Sequence, residues 1–181
     1  MRRFVLTGAP GSGKTTVLGV LREQGLAVVE EAATEVISRG QRAGVARPWE
    51  HPGFIGQVTR LQREWRLRPV PEGTRVQVHD RSPLCTLALA RYLGQPVPPL
   101  LAAEIETITR ENLYERRVFL LGQLGFITPT AARRISYADA TSFATLHEQV
   151  YLEHGHDIIH VPAGPAASRA AAITARITSS G

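Results

Sequence analysis

The stretch Gly8-Ala9-Pro10-Gly11-Ser12-Gly13-Lys14-Thr15 decides the fold of this 181-residue chain. It matches the pattern G-x-x-x-x-G-K-[ST] at every fixed position, follows a strand-like apolar run at residues 3–7 and opens a helical pattern at Lys14. Glycines allow consecutive backbone N–H groups to turn inward, and the helix directs the positive end of its dipole to the same point. The stretch therefore predicts a phosphate-binding loop between a strand and a helix.

The chemistry of this loop predicts a bound nucleotide. Lys14 can reach the β- and γ-phosphates, and the hydroxyl of Thr15 is placed to ligate Mg²⁺. ATP is favoured, with GTP left open, because the chain has no Asn-Lys-x-Asp motif for guanine. The residues of this segment predicted to contact the nucleotide are Gly8, Pro10, Gly11, Ser12, Gly13, Lys14, Thr15 and Thr16.

The composition, with 43% hydrophobic and 20% charged residues, is that of an ordinary soluble domain. The single cysteine, Cys85, excludes a disulfide framework and fits a reducing compartment. No apolar run approaches the roughly 20 residues that span a bilayer. The chain reads Met1-Arg2-Arg3 and goes straight into a strand-like run and the phosphate loop, and removal of this segment as a signal peptide would be expected to destroy the fold. We therefore expect a cytoplasmic protein without a transmembrane segment.

The formal net charge of +5 comes almost entirely from arginine. A basic balance can indicate nucleic acid, an anionic membrane or a phosphorylated ligand as partner. No Lys/Arg block or series of stacking aromatic residues stands out, so nucleic acid is not expected. A general bias toward arginine explains the charge better, and the sequence predicts no oligomeric state.

Segments of strand type alternate with segments of helix type along the whole chain, which is typical of a parallel α/β sheet. Strands are predicted at residues 3–7, 26–30, 74–79, 117–121 and 157–161, and helices from residue 14, at 32–42, 53–67, 84–93 and 99–113, around 143–150 and at 165–177. A polar, Gly- and Pro-containing stretch at about 122–140 is predicted to be a lid-like loop. The expected fold is a single three-layer α/β domain over residues 1–181, with a five-stranded parallel sheet and helices on both faces.

Charged residues follow the third predicted strand, at the end that faces the ligand crevice of a parallel sheet. Asp80 is expected near the Mg²⁺ that Thr15 holds, as a direct ligand or one shell further out. Arg81 could neutralise phosphate charge or orient an acceptor. The same segment also has the pattern of a helix N-cap, with Asp80 or Ser82 as cap and Pro83 at the first position, and both interpretations can hold together.

Two adjacent carboxylates, Glu30 and Glu31, close the second predicted strand. A carboxylate at this position can accept the proton of an acceptor hydroxyl as it attacks the γ-phosphate. One of the two should face the crevice, and the other should complement the dipole of the following helix. Glu30 is favoured as the strand-end residue, but the sequence does not choose between them firmly.

The pair Arg133-Arg134 lies inside the lid-like segment. We expect it to close over the phosphates and stabilise charge in the transition state, and solvated surface arginine is the alternative interpretation. The six histidines show no metal-ligand spacing, so a zinc site is not expected. His79 is placed in or beside the crevice, and His147 is interpreted as a surface or cap residue.

Taken in order, GAPGSGKT, VVEEA, VHDRSP, the arginine pair and HDIIHVPAGPAASR resemble the AAA-type ATPase/kinase-like P-loop family. That family is similar to the nicotinamide-riboside kinase domain and, more distantly, to deoxynucleoside and adenylate kinases. The resemblance implies the P-loop NTPase fold with sheet order 2-3-1-4-5. It implies a base at Glu30 or Glu31, phosphate chemistry at the Asp80-Arg81-Ser82 motif, and a grip on the nucleotide by Arg133 and Arg134.

The leading hypothesis is transfer of the γ-phosphoryl group of Mg-ATP to a small hydroxyl-bearing acceptor, a small-molecule kinase reaction. Its catalytic residues would be Lys14, Glu30, Glu31, Asp80, Arg81 and Arg134, with Thr15 and Asp80 at the metal and Arg133 on the nucleotide. The alternative is a regulatory or binding module that hydrolyses ATP or GTP slowly. A nucleic-acid end kinase is a third possibility that the charge permits.

Overall fold

The computed structural model describes residues 1–124 and 137–179, with side chains left out at residues 137–140. In chain order its elements are β1 (Arg2–Gly8), α1 (Lys14–Glu23), β2 (Ala27–Val29), α2 (Ala32–Arg42), a 3₁₀ turn (Pro48–Glu50), α3 (Phe54–Leu67), β3 (Val76–Asp80), α4 (Pro83–Tyr92), α5 (Pro99–Arg110), β4 (Arg117–Leu121), α6 (Tyr137–Glu153), β5 (Asp157–Val161) and α7 (Ala166–Thr178).

The strands form one sheet in the order β2-β3-β1-β4-β5, and every neighbouring pair is parallel. In the centre of the sheet Phe4 of β1 pairs with Val78 of β3, and Val5 pairs with Val118 of β4. The predicted fold class and the sheet order implied by the resemblance are both confirmed.

Helices cover both faces of the sheet because the central strands are apolar on both sides, as parallel strands usually are. On one face Phe4 and Leu6 pack against α1 and α7, through residues such as Val17 and Ile173. On the other face Val5 and its neighbours pack under the group of helices α2 to α6. The result is the predicted arrangement of three layers.

The observed boundaries differ from the predicted ones at several elements, and β2 ends at Val29 and therefore leaves Glu30 outside the strand. Helix α6 begins at Tyr137, inside the stretch at about 122–140 predicted to be a lid-like loop, and residues 125–136 of that stretch lie outside the described residues. The fifth helix is also shorter than expected and ends at Arg110 rather than at residue 113. All five strands point the same way, so the segments after β1, β2 and β3 meet at one edge of the sheet. Within the described part of the chain, no helix has both the length and the apolar character needed to cross a membrane.

Candidate active site

The predicted phosphate loop is the connection between β1 and α1. Gly13 caps α1 with φ of 74°, a left-handed conformation that glycine adopts without strain. Gly8 has φ of 154°, and a Cβ added there would lie 2.9 Å from Ser12 Oγ and 3.0 Å from the carbonyl oxygen of Leu121. Both glycines are therefore needed for the backbone path of the loop.

The loop fits a polyphosphate group. The hydroxyl of Ser12 is buried and has no hydrogen-bond partner among the described residues, so it is free to donate to a ligand oxygen. Lys14 begins α1, and Thr15 and Thr16 follow it on the exposed first turn. Hydroxyl and carboxylate oxygens are also the ligand types that Mg²⁺ prefers, and Thr15 and Asp80 supply them.

Four charged side chains, Lys14, Glu31, Asp80 and Arg81, form what we call the site cluster. The ammonium group of Lys14 donates to Asp80 Oδ1 and lies 3.8 Å from Glu31 Oε2. Nε of Arg81 donates to Glu31 Oε1 at 2.5 Å. Lys14 and Asp80 are each only 5% exposed, so their charges interact in a site with little water to screen them. The structure thus joins residues from the phosphate loop and from the ends of β2 and β3.

The two adjacent glutamates lie in different environments. Glu31 is the N-cap residue of α2, its side chain is 14% exposed, and its Oε2 accepts a hydrogen bond from Thr34 Oγ1 at 2.8 Å. Glu30 is 61% exposed and pairs with Arg22 of α1, away from Lys14 and Arg81. The structure therefore brings Glu31 into the site cluster and leaves Glu30, the residue favoured from the sequence, at the surface.

Arg81 is held by hydrogen bonds on several sides. It has φ of 74°, a strained conformation for a residue with a side chain, and such outliers concentrate at functional sites. Besides its bond to Glu31, its Nη2 donates to the carbonyl oxygen of Gly8 at 3.0 Å and its Nη1 donates to His147 Nε2 at 2.8 Å. Arg81 thus ties the carboxylate of Glu31 to the start of the phosphate loop.

The pKa values of the two carboxylates in the site cluster move in opposite directions. Burial acts to raise the pKa of Glu31, but the charges of Lys14 and Arg81 outweigh burial and hold that pKa well below its usual range. Burial raises the pKa of Asp80, and Lys14 opposes this without overcoming it. Neighbouring carboxylates whose pKa values are driven apart are typical of sites that handle charge and protons.

His147 belongs to this site, and its interpretation as a surface or cap residue is wrong. It is fully buried on α6, and its Nδ1 lies 2.8 Å from the carbonyl oxygen of Phe143. A carbonyl can only accept and a guanidinium can only donate, so Nδ1 carries the proton and Nε2 accepts from Arg81. Burial and the charge of Arg81 lower the pKa of His147 to about 3, which keeps the ring neutral.

Two further predictions concerned the helix N-cap after β3 and the arginine pair of the lid-like segment. Ser82 caps α4 by accepting from the backbone N–H of Leu84 at 3.2 Å, and Pro83 occupies the first turn, so the N-cap interpretation is confirmed for Ser82. Arg133 and Arg134 lie outside the described residues, and their roles stay predictions.

A strand, a glycine-rich phosphate loop and a helix, set in a parallel 2-3-1-4-5 sheet, define the P-loop class of proteins. More specifically, the chain belongs to the AAA domain family, which it matches over residues 3–169. This confirms the resemblance drawn from the sequence motifs. No curated protein sequence matches the chain.

Several solved structures share the fold. The NadR protein in complex with NAD and AMP-PNP is similar with a TM-score of 0.67 and 17% identity, over 98% of this chain and 49% of the NadR chain. This chain therefore spans about half the length of NadR. Shikimate kinase from Acinetobacter baumannii in complex with shikimate has a TM-score of 0.58 and 19% identity, over 99% of this chain and 94% of that one.

A third similar structure is deoxyadenosine kinase from M. mycoides with bound dCTP, with a TM-score of 0.58 and 12% identity, over 99% of this chain and 100% of that one. At these identities the likeness shows the fold alone. The chain therefore has the fold of P-loop kinases, and its chemistry has to be argued from its own residues.

Proposed function

We propose that this protein is a kinase that transfers the γ-phosphoryl group of Mg-ATP to a small hydroxyl-bearing acceptor. The observation that carries the proposal is the position of Glu31. Its carboxylate is fixed by Arg81 at 2.5 Å and lies 3.8 Å from the ammonium group of Lys14 in the phosphate loop. A fixed carboxylate beside the phosphate-binding lysine can orient a nucleophile toward the γ-phosphate.

The phosphate loop would hold the nucleotide. Lys14 would turn from its carboxylate partners to the β- and γ-phosphates, and the loop N–H groups would bind the same oxygens. Thr15 and Asp80 would hold Mg²⁺, which, when bound, neutralises the charge that develops on the phosphate oxygens. The predicted nucleotide contacts at Gly8, Gly11 and neighbouring loop residues are part of this proposal.

Glu31 would act on the acceptor. Its low pKa means that the carboxylate is ionised at neutral pH and can accept a hydrogen bond from an acceptor hydroxyl. As the oxygen–phosphorus bond forms, the hydroxyl proton passes to the carboxylate, and the bond to the ADP leaving group breaks. A weakly basic carboxylate suffices because the reaction depends mostly on positioning and charge stabilisation.

The fold comparisons support this class of reaction. Two of the similar structures are kinases whose names, shikimate kinase and deoxyadenosine kinase, indicate small hydroxyl-bearing acceptors. NadR is similar in the form that contains AMP-PNP, a triphosphate nucleotide analogue. The acceptor of the present protein would thus be a small molecule, with ATP and Mg²⁺ as cofactors.

The adjacent glutamates allow a matched test. Glu31→Gln preserves shape and an oxygen for Arg81 but removes the charge, and we expect it to lower acceptor-dependent ADP release by about 10²- to 10⁴-fold. Glu30→Gln makes the same chemical change at the exposed neighbouring position and should leave turnover unchanged. ADP release is measured with Mg-ATP against a panel of nucleosides, sugars, hydroxy acids and amino alcohols, with ATP affinity measured in parallel by calorimetry.

The outcomes separate the proposal from its alternatives. Full activity of Glu31→Gln together with loss of activity in Glu30→Gln would show that Glu30, and not Glu31, is the general base. ATP binding without release for any acceptor would contradict kinase chemistry and favour the regulatory module. In that case a partner should bind differently to the ATP and ADP forms, because a nucleotide shifts an equilibrium only through differential binding.

A further inference from the structure

Arg169 of α7 lies directly behind the phosphate loop, although it is far from the loop in sequence. Its Nη1 donates to the carbonyl oxygen of Ser12 at 2.5 Å, and its Nη2 donates to the carbonyl oxygen of Gly122 at 2.9 Å. A Cβ placed on Gly13 would lie 3.4 Å from the same Nη1. Arg169 therefore contacts the loop and also the end of β4.

These contacts follow from the geometry of the loop. Loop N–H groups that turn inward to phosphate leave carbonyl groups pointing outward, and a buried carbonyl requires a donor. For Ser12 the donor is the guanidinium of Arg169. The arginine thus stabilises the conformation in which the loop N–H groups can converge on a ligand.

The charge of Arg169 has no protein counter-ion among the described residues. Its side chain is only 4% exposed, both donor contacts are neutral carbonyls, and its Nε is buried without a partner in the described part of the chain. The site cluster, by contrast, contains Lys14 and Arg81 together with Glu31 and Asp80, so its formal charges cancel. A buried charge without a counter-ion is costly, and proteins rarely keep one without a ligand to balance it.

We propose that Arg169 is a positioning residue for the phosphate loop and that the polyphosphate of a bound nucleotide is its counter-ion. The inference rests on the nucleotide-binding part of the proposed function and adds a residue that the loop motif does not contain. Its specific consequence is that Arg169 raises nucleotide affinity in proportion to the number of phosphate charges. A residue that acts only through the shape of the loop would lose its effect equally in Arg169→Gln and Arg169→Lys, because neither side chain reproduces both contacts with the Ser12 and Gly122 carbonyls.

The experiment measures the affinity of wild-type protein, Arg169→Gln and Arg169→Lys for Mg-ATP, Mg-ADP and adenosine by calorimetry. Arg169→Gln should weaken Mg-ATP binding by about 10- to 100-fold, Mg-ADP binding by less, and adenosine binding little. Arg169→Lys keeps the charge but not the two-pronged geometry, so its loss for Mg-ATP should be smaller than that of Arg169→Gln. Circular dichroism establishes that each variant is folded.

Arg176→Gln is the matched control, because it removes the same charge from an exposed position on the same helix. Its affinities should equal those of the wild type. Three outcomes would overturn this inference alone. They are equal losses of Mg-ATP affinity in Arg169→Gln and Arg169→Lys, equal losses for all three ligands in Arg169→Gln, and equal effects of Arg169→Gln and Arg176→Gln. Failure of the wild type to bind any nucleotide would overturn it together with the proposed function, whereas binding without phosphoryl transfer would overturn only the kinase reaction.

Discussion

Two regions of the described chain bury side chains of opposite charge against each other, and they do so in different ways. In the α3–α5 ion pair, Arg66 donates to one oxygen of Glu104 through Nε at 3.0 Å and Nη2 at 2.7 Å, and both side chains are less than a tenth exposed. In the site cluster, Lys14 is shared between two carboxylates, and Glu31 is shared between two cations. Burial and opposite charge are common to both regions.

The difference lies in how the partners are arranged. Arg66 and Glu104 form a two-donor contact between two helices, a geometry that fixes those helices against each other. The members of the site cluster have competing partners, so Lys14 can leave one carboxylate for a ligand phosphate while Arg81 continues to hold Glu31. Sharing alone does not separate the two regions, because Glu104 Oε2 also lies 3.9 Å from Nε of the exposed Arg63. Shared partners at the carboxyl edge of a parallel sheet, beside a phosphate loop, therefore indicate function, whereas a two-donor pair between two helices indicates structure.

The largest expected effect tests the structural region. Glu104→Ala leaves the Arg66 charge buried without its partner and should lower the free energy of unfolding by about 3–5 kcal/mol. The double variant Arg66→Met/Glu104→Leu should recover most of this loss, because it removes both charges and refills the volume. Urea unfolding of the wild type, Arg66→Met, Glu104→Leu and the double variant gives the coupling energy of the pair.

If the α3–α5 ion pair has only a structural role, its removal should not change nucleotide affinity. Folded Glu104→Ala protein should bind Mg-ATP with wild-type affinity, because the pair lies outside the site cluster. Weaker Mg-ATP binding by Glu104→Ala protein that is still folded would contradict the distinction between the two regions.

The next effect tests the site cluster itself. Lys14→Ala removes the cation that is proposed to contact the β- and γ-phosphates, and turnover should fall by about 10²- to 10³-fold. Acceptor-dependent ADP release measures this loss, and thermal melting without nucleotide controls for the broken contact with Asp80. Turnover that survives Lys14→Ala would show that the phosphate loop does not serve the reaction.

The sequence predicts those parts of the fold that depend on contiguous patterns. The phosphate loop is fixed by neighbouring residues from Gly8 to Thr15, and the alternation of strands and helices follows from apolar spacing. Periodicity contains no information on which strands become neighbours, so the order 2-3-1-4-5 came only from the resemblance to a family. The choice between Glu30 and Glu31 depended on whether β2 ends at Val29 or one residue later, a difference below the precision of sequence patterns.

The two residues that sequence reasoning missed, His147 and Arg169, are polar side chains on the buried faces of helices. His147 follows the buried Phe143 by four residues and Arg169 precedes the buried Ile173 by four, so helical spacing carried a signal for both. Polar residues are expected at the surface unless they have hydrogen-bond partners. The partners of His147 and Arg169 are distant in sequence, so the sequence pattern did not reveal them. His147 meets Arg81, and Arg169 meets Ser12, only through the tertiary structure, across 66 and 157 residues of sequence.

The smallest expected effect compares two buried histidines, one beside each region. His147 contacts Arg81 of the site cluster, and His79 lies among Gln77, Tyr114 and the charges of Arg3 and Arg66. Burial, followed by these arginine charges, lowers the pKa of each ring from 6.5 to about 3. The unfolded chain therefore binds a proton on each histidine over a pH range in which the folded protein does not, and each neutral ring stabilises the fold above its unfolded pKa.

As pH falls below 6.5, each histidine should lower the free energy of unfolding by about 1.4 kcal/mol per pH unit, until the folded pKa near 3 is reached. The free energy of unfolding is measured by urea unfolding between about pH 5 and 6. His147→Leu and His79→Leu should each reduce its dependence on pH by the contribution of one titrating histidine. Only His147→Leu should also slow turnover, by about tenfold, because it removes the acceptor that holds Arg81. Equal turnover in the two variants would mean that His147, like His79, stabilises the fold only. His147 would then not influence the reaction through Arg81.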